Sequence, residues 1–159
     1  SYRDEPYTFA IVLKDFFEKH KIFKIFFILA TDINSKVLKF AESGIYESER
    51  LKLLPKGLIS QYFTKIDTDS FQVTPEIRKL VLFRRLNFMN EEFPFKNKFH
   101  LISCRNVMIY FDNPTKDALI SKFRRHIHPN GYFFIGHSES LQKSNTTFEI
   151  VQPAIFKPV

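Results

Sequence analysis

The strongest pattern in the sequence runs from Phe99 to Asp112, FHLISCRNVMIYFD. It is apolar almost throughout, and Arg105 and Asn106 come directly after the run Phe99 to Cys104. A near-continuous apolar run of this kind predicts a strand that is buried on both faces of a parallel sheet. Ligands of open α/β sheets bind just beyond the carboxyl ends of the strands, so Arg105 and Asn106 are expected to meet a ligand. The alternative is that these two residues cap a neighbouring helix or loop.

The composition is that of a globular protein with one folded domain. The chain has 159 residues, of which 44% are hydrophobic and 16% aromatic, enough for a real core. The single cysteine, Cys104, lies inside the apolar run, so no internal disulfide is expected. A small buried residue in a reducing, cytoplasmic protein explains Cys104 better than a catalytic thiol does. No segment has the length of a membrane span or the order of a signal peptide, so we expect no membrane insertion.

The charge of the chain is typical either of a protein with an acidic partner or, where the basic residues are dispersed, of a merely solvated surface. The formal net charge is +7 and the isoelectric point is about 9.5. The basic residues are dispersed, and only the pairs Arg84–Arg85 and Arg124–Arg125 are tight clusters. Basic and aromatic residues do not interleave on one recognisable surface element, so we expect no nucleic-acid binding.

The first third of the chain predicts a helix, a strand and a second helix. The first helix runs from about Pro6 to Lys19, and the β-rich run Ile22 to Ala30 predicts the strand. Asp32 follows this strand, and a carboxylate there can accept both hydroxyl protons of a ribose diol. The alternative is that Asp32 forms an Asx turn or caps the second helix, which is predicted to begin near Asn34 and to stop at Gly44.

The middle of the chain predicts a small antiparallel excursion and a second polar strand end. A helical segment over residues 47–62, interrupted at Pro55, leads into short alternation from Tyr62 to Val73. A strand from Leu80 to Phe83 then runs towards Asn87. Asn87 is therefore a second polar residue at the carboxyl end of a predicted strand.

The last third predicts a helix, a buried strand and a closing hairpin. The helix begins near Pro114 and is closed by Gly131, and the strand Tyr132 to Ile135 follows. The strand opens into the polar run Gly136 to Glu139, which could line a site. The tail Phe148 to Val159 predicts a hairpin at the sheet edge. This order of elements predicts an α/β protein with a mainly parallel sheet.

Five blocks of the sequence resemble one known family. In chain order they are DEPYTFA, ATDINSKVLKFAESGIY, LNF, CRNVMIYFD and GYFFIGHSES. Together they resemble the chemotaxis receptor methyltransferases of the CheR type, which transfer a methyl group from S-adenosylmethionine to receptor glutamates. The resemblance implies a class I methyltransferase fold, which is Rossmann-like, with a mostly parallel sheet, helices on both faces, a C-terminal antiparallel hairpin and a small β excursion.

The resemblance implies four residues that bind the cofactor outside the central stretch. Asp32 would hold the ribose hydroxyls of S-adenosylmethionine, and Glu5 would pair with the ammonium of its methionyl part. Asn87 and Phe88 would flank the adenine. No metal ligand is implied.

The resemblance also implies the active-site residues. Arg105, Asn106 and Tyr110 belong to the family's active-site stretch. Arg105 and Asn106 would contact the cofactor, and Arg105 and Tyr110 would act in catalysis by orienting the receptor glutamate. The product of the cofactor would be S-adenosylhomocysteine, and the partners would be the cytoplasmic helices of methyl-accepting chemotaxis receptors.

The resemblance further implies that residues 1–159 form one methyltransferase domain with an incomplete start. Residues 62–73 would be a small β-subdomain, which in some members docks a receptor peptide as an added strand; a plain connecting hairpin is the alternative. The family has a first strand and a glycine-containing cofactor turn ahead of the position of Ser1, and Arg3 stands where the family has a glycine. We therefore expect a partner chain, a further segment or a rearranged start to complete the sheet. The alternative function is a non-catalytic CheR-like binding module in a signalling system.

Overall fold

Helices and strands are mixed along the described residues, 5–141 and 147–159, of this computed structural model. The chain divides between Asn87 and Phe88 into two units, which we call the N-terminal unit and the C-terminal unit. The N-terminal unit contains α1 (Glu5–Lys19), β1 (Ile28–Asp32), α2 (Ser35–Ser43), β2 (Ile45–Glu47), α3 (Ser48–Leu51), α4 (Lys56–Tyr62), β3 (Phe63–Lys65), β4 (Ser70–Val73), α5 (Pro75–Arg78) and β5 (Val81–Arg85). The C-terminal unit contains β6 (Phe99–Cys104), a 3₁₀ turn (Met108–Tyr110), α6 (Asn113–His126), β7 (Ile127–Ile135), β8 (Phe148–Gln152) and β9 (Ile155–Pro158).

The N-terminal unit has a parallel strand pair and a small antiparallel sheet. Strand β1 pairs in parallel with β5, from Ile28 opposite Val81 to Asp32 opposite Arg85. The antiparallel sheet has the order β2-β4-β3, so the predicted excursion over residues 62–73 also includes β2. The core of this unit is made of buried apolar side chains from its helices and strands, among them Tyr7, Ala10, Ile11, Ile77, Val81 and Phe83.

Helix α2 begins and ends where the sequence predicts. The Asn34 side chain accepts hydrogen bonds from the backbone N–H groups of Lys36 and Val37, which is an N-cap. Gly44 ends the helix in the left-handed conformation, with φ of 64°, and donates its N–H to the Ala41 carbonyl. These two caps fix the direction in which the chain leaves β1.

The C-terminal unit has one sheet of four strands in the order β6-β7-β9-β8. Strands β6 and β7 are parallel, and β7, β9 and β8 are antiparallel to their neighbours. Helix α6 is capped by Asp112, whose side chain accepts from the Thr115 N–H, and it buries Leu119, Ile120 and Phe123. The predicted α/β class, with parallel pairs and a C-terminal antiparallel hairpin, is confirmed.

The strand predicted over Ile22 to Ala30 begins only at Ile28, so its first part was predicted wrongly. The Ile22 N–H donates to the Phe17 carbonyl at 2.8 Å, and the Phe26 ring packs edge-on against the Phe17 ring, with centroids 5.5 Å apart. These contacts hold the segment against α1 and away from the strand ladder. The Phe23 side chain is consequently 97% exposed.

Strand β7 is longer than the predicted strand Tyr132 to Ile135, because it begins at Ile127 and includes Pro129. The β6–β7 register shifts between Phe99 and Leu101, and such irregularities accommodate a proline, which has no N–H to donate. Sequence patterns give little warning of a proline inside a strand.

Strand β6 is not buried on both faces as predicted, since only Cys104 among its six residues is fully buried. Within the described residues β6 pairs with β7 alone, and β1 pairs with β5 alone. A strand at the edge of a sheet keeps more of its surface exposed than a central strand does. Each of these strands therefore has one edge that pairs with no strand of the described residues. Within the described residues, no helix is long and apolar enough to cross a membrane.

Candidate cofactor site and active site

The carboxyl end of the β1–β5 pair carries two of the predicted cofactor residues. Asp32 is the last residue of β1, and Asn87 lies two residues beyond the end of β5. The Leu86 N–H donates to the Asp32 carbonyl at 3.1 Å, and Arg85 Nε donates to the Ile33 carbonyl at 3.1 Å. These bonds extend the pairing past the strands and hold Asp32 and Asn87 at one edge of the pair.

The Asp32 carboxylate forms the Asx turn that was the alternative to a cofactor role. Its Oδ1 accepts from the Asn34 N–H at 2.7 Å. The turn uses one of the two carboxylate oxygens, so it orients the half-buried carboxylate and leaves the second oxygen for a ribose hydroxyl. The turn and the cofactor role are therefore compatible.

Glu5 is the first residue of α1 and is half-buried. The positive end of a helix dipole stabilises a carboxylate in the first turn. The structure thus places this predicted cofactor residue at an ordered helix start. Arg3 lies outside the described residues.

In the C-terminal unit, the loops that leave β6 and β7 meet. The register places Cys104 opposite Ile135, so the next residues, Arg105 and Gly136, leave the two parallel strands side by side. The Asn106 N–H donates to Glu139 Oε2 at 2.9 Å, and the Gly136 N–H donates to the same oxygen at 2.7 Å. One carboxylate oxygen therefore joins the Arg105–Asn106 loop to the polar run Gly136 to Glu139.

Gly136 lies close to polar side chains of both loops. A Cβ atom added at Gly136 would lie 2.7 Å from Asn106 Oδ1 and 2.7 Å from Glu139 Oε2. Another residue at position 136 would therefore displace these two side-chain ends from their present positions.

The 3₁₀ turn after Asn106 presents the third predicted active-site residue. Met108 is buried at 2% exposure and anchors the turn, whereas Tyr110 is 78% exposed. Arg105 is half-buried and Asn106 is exposed. The loop therefore carries one anchored apolar residue and three polar side chains that can meet a ligand.

Phe88 lies in the C-terminal unit and packs within an aromatic cluster. Its ring contacts Phe93 and Phe123, with centroid distances of 6.0 and 5.7 Å. Lys122 of α6 donates its Nζ to the carbonyl of Phe88 and, at 2.8 Å, to the carbonyl of Asn90. Burial, assisted by the neighbouring positive charge of Arg125, lowers the pKa of the Lys122 ammonium. A buried lysine thus fixes the backbone of the predicted adenine-flanking residue.

Reasoning from the sequence missed Glu139 and Lys122 as residues that organise the site. Lys122 directly precedes Phe123 on the buried face of α6. A lysine beside a predicted core residue could have been recognised from the sequence as one that needs a partner. Glu139 was visible only as part of a polar run, because its bond to the Asn106 N–H depends on the register of β6 and β7.

The strand ends of the two units carry side chains of different chemistry. In the N-terminal unit, the carboxylate of Asp32 can accept from hydroxyl groups and the amide of Asn87 can bond a base edge; in the C-terminal unit, Arg105 can bind a carboxylate. Parallel strand pairs with polar carboxyl ends, followed by a C-terminal antiparallel hairpin, define an α/β protein of the class I methyltransferase type.

The family follows from a direct comparison. The family model described as "CheR methyltransferase, SAM binding domain" matches residues 1–156. The chain therefore belongs to the CheR methyltransferase family, of which it contains the S-adenosylmethionine-binding domain. The predicted family and the predicted cofactor, S-adenosylmethionine, are confirmed.

Three curated relatives illustrate the similarity. The chemotaxis protein methyltransferase of Borreliella burgdorferi is 45% identical over 97% of this chain and 54% of its own length. Chemotaxis protein methyltransferase 2 of Pseudomonas aeruginosa is 34% identical over 98% of this chain and 56% of its own length. The chemotaxis protein methyltransferase of Escherichia coli is 34% identical over 92% of this chain and 52% of its own length. The chain thus spans about half the length of these relatives.

Proposed function

We propose that the protein transfers a methyl group from S-adenosylmethionine to glutamate side chains of chemotaxis receptors. The observation that carries this proposal is the joined pair of loops at the ends of β6 and β7, which holds Arg105 and Asn106 beside the Gly136–Glu139 turn in a member of the CheR family. The similarity to chemotaxis protein methyltransferases supports the link to chemotaxis.

The proposed binding roles follow the chemistry of each side chain. Asp32 accepts the ribose hydroxyls, Asn87 bonds the adenine edge and Phe88 flanks the base. Glu5 pairs with the methionyl ammonium, and Asn106 contacts the cofactor together with Arg105. When bound, S-adenosylmethionine supplies a methyl group that is activated by its attachment to a sulfonium.

The proposed catalytic roles are orientation and exclusion of water. A glutamate side chain is already ionised at neutral pH, so the reaction needs no general base. Arg105 draws in the acidic side chain by a charge-assisted hydrogen bond, and the Tyr110 hydroxyl orients one of its oxygens. The 78% exposure of Tyr110 supports this role, because a side chain from another protein can reach it. Arg105 orients and does not form a fixed salt bridge, since a tight bidentate pair would weaken the nucleophile.

The proposed partners are the cytoplasmic helices of methyl-accepting receptors, which places the protein in the cytoplasm. The net charge of +7 suits acidic receptor segments. Within the described residues β1 pairs with β5 alone and β6 pairs with β7 alone, so each can take an additional strand, supplied by a further segment or by a partner chain.

Calorimetric titration with S-adenosylhomocysteine tests the cofactor part of the proposal. We expect micromolar binding, on the order of 10⁻⁶ M, and a loss of about tenfold or more in the Asp32→Ala variant, because two hydrogen bonds to the ribose are removed. Asp67→Ala is the matched control, since the exposed Asp67 forms the same kind of Asx turn, with 2.9 Å between the Asp69 nitrogen and Oδ1. No binding heat from a folded sample would contradict the enzyme proposal for this chain.

Methylation of receptor fragments tests the catalytic part. Arg105→Ala is expected to lower the rate of methyl transfer about 100-fold, because the acceptor loses its alignment. Arg125→Ala, at an exposed position on α6, is the control and should retain the wild-type rate. An Arg105→Ala variant with unchanged rate and unchanged binding would show that Arg105 has no orienting role.

A non-catalytic binding module is the second candidate function. It is favoured by Arg3, which stands where the family has a cofactor-contacting glycine. Such a module would bind receptor fragments with the same affinity in the presence and absence of S-adenosylhomocysteine. The titration and a receptor-binding assay on one sample therefore separate the two candidates.

A further inference from the structure

We infer that Glu139 is the positioning residue that fixes the active-site loop after β6. The catalytic role of this loop rests on the proposed function above. Its attachment to Glu139 rests on the hydrogen bonds alone. Glu139 contacts the backbone of the loop and acts through Arg105 and Asn106.

The first support is that one oxygen of Glu139 serves two strands. Glu139 Oε2 accepts from the Asn106 N–H at 2.9 Å and from the Gly136 N–H at 2.7 Å. Hydrogen bonds from N–H groups to a carboxylate are about twice as strong as those to a neutral acceptor. The bond to Asn106 joins residues that are 33 positions apart in sequence, so it is a tertiary contact and not local turn chemistry.

The second support is that Glu139 is itself held in place. The Glu139 N–H donates to the Gly136 carbonyl at 2.9 Å, which closes a tight turn directly after β7. The side chain then folds back onto the N–H of Gly136, the first residue of the same turn. The acceptor that Asn106 meets is therefore fixed by the end of β7 and does not depend on a freely rotating side chain.

The third support is the backbone conformation of Asn106. Its φ is 59°, in the left-handed region that residues with a side chain rarely adopt, although asparagine tolerates it better than most. Such conformations are unfavourable and persist where the surrounding structure holds them. The hydrogen bond from the Asn106 N–H to Glu139 is a contact that holds this conformation.

The fourth support is the other oxygen of Glu139. Oε1 is buried and has no hydrogen-bond partner among the described residues, which is unfavourable for a carboxylate. The hydrogen bonds of this carboxylate to the described residues are therefore those of Oε2, which attaches Asn106 and, through the peptide bond before it, places Arg105.

The test combines a structural readout with a kinetic one on the same chain. In the backbone amide spectrum, Glu139→Ala is expected to shift the Asn106 and Gly136 amides strongly upfield, because both lose a charged acceptor. In methyl transfer to receptor fragments, Glu139→Ala is expected to lower kcat about 10- to 100-fold per folded molecule, with a smaller change in KM, since misplacement of about 1 Å has effects of this size.

Two further variants keep the test decisive. Glu139→Gln retains a carbonyl oxygen that accepts both N–H groups, so it should rescue kcat to within a few-fold of wild type; it also serves if Glu139→Ala fails to fold. Glu149→Ala, at an exposed acidic position on β8, should leave the Asn106 and Gly136 amides and kcat unchanged. A purely structural role for Glu139 would lower the folded fraction in Glu139→Ala and leave kcat per folded molecule unaltered.

The outcomes separate this inference from the proposed function. An Asn106 amide that does not move in Glu139→Ala overturns the positioning role whatever the activity. If the alanine variant does not fold, Glu139→Gln should still shift this amide upfield, by less, because the acceptor loses its charge, and an unmoved amide there overturns the role as well. A wild-type chain that transfers no methyl group, but whose Asn106 amide responds as expected, overturns the proposed function and supports the attachment by Glu139. A moved amide with unchanged kcat also overturns the positioning role.

Discussion

Single side chains tie α1 to later parts of the N-terminal unit. Glu18 Oε2 accepts from Tyr62 Oη at 3.4 Å and from Gln61 Nε2 at 3.2 Å, while Lys14 Nζ contacts Glu18 at 3.1 Å and Glu76 at 2.7 Å. Exposed ion pairs such as these contribute about 0–1 kcal/mol each. Tyr62 has the larger effect on how stability depends on pH, because it is buried beside negatively charged side chains.

Alkaline titration should reveal Tyr62. Burial, followed by the negative charges of Glu18 and Asp15, raises the pKa of Tyr62 from 10.0 to about 12. Below pH 10 both the folded and the unfolded chain keep the proton, so the stabilisation is fully present. Between pH 10 and about 12 only the unfolded chain releases it, and the free energy of unfolding falls by up to about 1.4 kcal/mol per pH unit.

Urea denaturation across this pH range is the measurement. Tyr62→Phe should remove this part of the decline above pH 10, and Tyr132→Phe, at an exposed position on β7, should not. An identical alkaline decline in wild type and Tyr62→Phe would show that Tyr62 does not titrate differently in the folded state.

Lys122 should contribute to stability through the backbone that it binds. Lys122→Met keeps a flexible stem but removes the donor to the carbonyls of Phe88 and Asn90, so we expect a loss of about 1–3 kcal/mol in the free energy of unfolding. Lys96→Met, at an exposed lysine of the same unit, should change stability by less than about 0.5 kcal/mol. Equal stabilities of the two variants would mean that the Lys122 bonds contribute nothing net.

For single residues, the sequence predicted which ones follow the ends of strands. It did not predict the hydrogen bonds that fix their positions. Asp32, Asn87 and Arg105 were found because strand ends and side-chain chemistry can be read locally. The partners of Glu139 and Lys122 could not be found this way, since each bonds to backbone more than 30 positions away in sequence. The individual roles of the cofactor and active-site residues remain predictions.

Helices and strands were predicted best where the residues that end them adjoin them in sequence. Helix α2 lies between the Asn34 cap and Gly44, and β6 has the predicted bounds Phe99–Cys104. The prediction of a strand over residues 22–27 was wrong. The composition of this apolar run favours a strand, but its packing on Phe17 keeps it from pairing with β5. Composition identifies what can pair, and only tertiary contacts decide what does.

Two glycine substitutions should separate a required glycine from a dispensable one. Gly44 has φ of 64°, and a Cβ there would lie 3.4 Å from Val73 Cβ, so Gly44→Ala should destabilise the chain by about 1–2 kcal/mol. At Gly57, in α4, an added Cβ meets nothing within 4 Å, so Gly57→Ala should be neutral or stabilising by up to about 1 kcal/mol. Thermal denaturation monitors both, and destabilisation by Gly57→Ala that equals that of Gly44→Ala would contradict the assignment.

The whole molecule is basic, and this should affect its association with the proposed substrate. With a net charge of +7, association with acidic helices of the proposed receptor substrate should weaken as salt screens the attraction. Raising the salt concentration from about 50 to 300 mM should reduce kcat/KM for receptor fragments several-fold, whereas the affinity for S-adenosylhomocysteine should change little. A salt-independent kcat/KM would indicate that net charge does not steer the encounter.

The order of elements in the whole chain was predictable because parallel strands, crossover helices and a closing hairpin each have a sequence pattern. The exposure of β6 was not, because it depends on which strand lies at a sheet edge, and an apolar sequence alone does not say so. The division at Asn87 likewise has no marker in composition.

Cys104 allows local opening at the end of β6 to be measured. It is the only sulfhydryl of the chain, it is 4% exposed, and it directly precedes Arg105. Reaction of this thiol with a disulfide reagent must wait until the strand end opens, so the labelling rate measures how often that opening occurs. A compound that closes the neighbouring loop will slow the labelling, which gives an assay for ligands that requires no methyl acceptor.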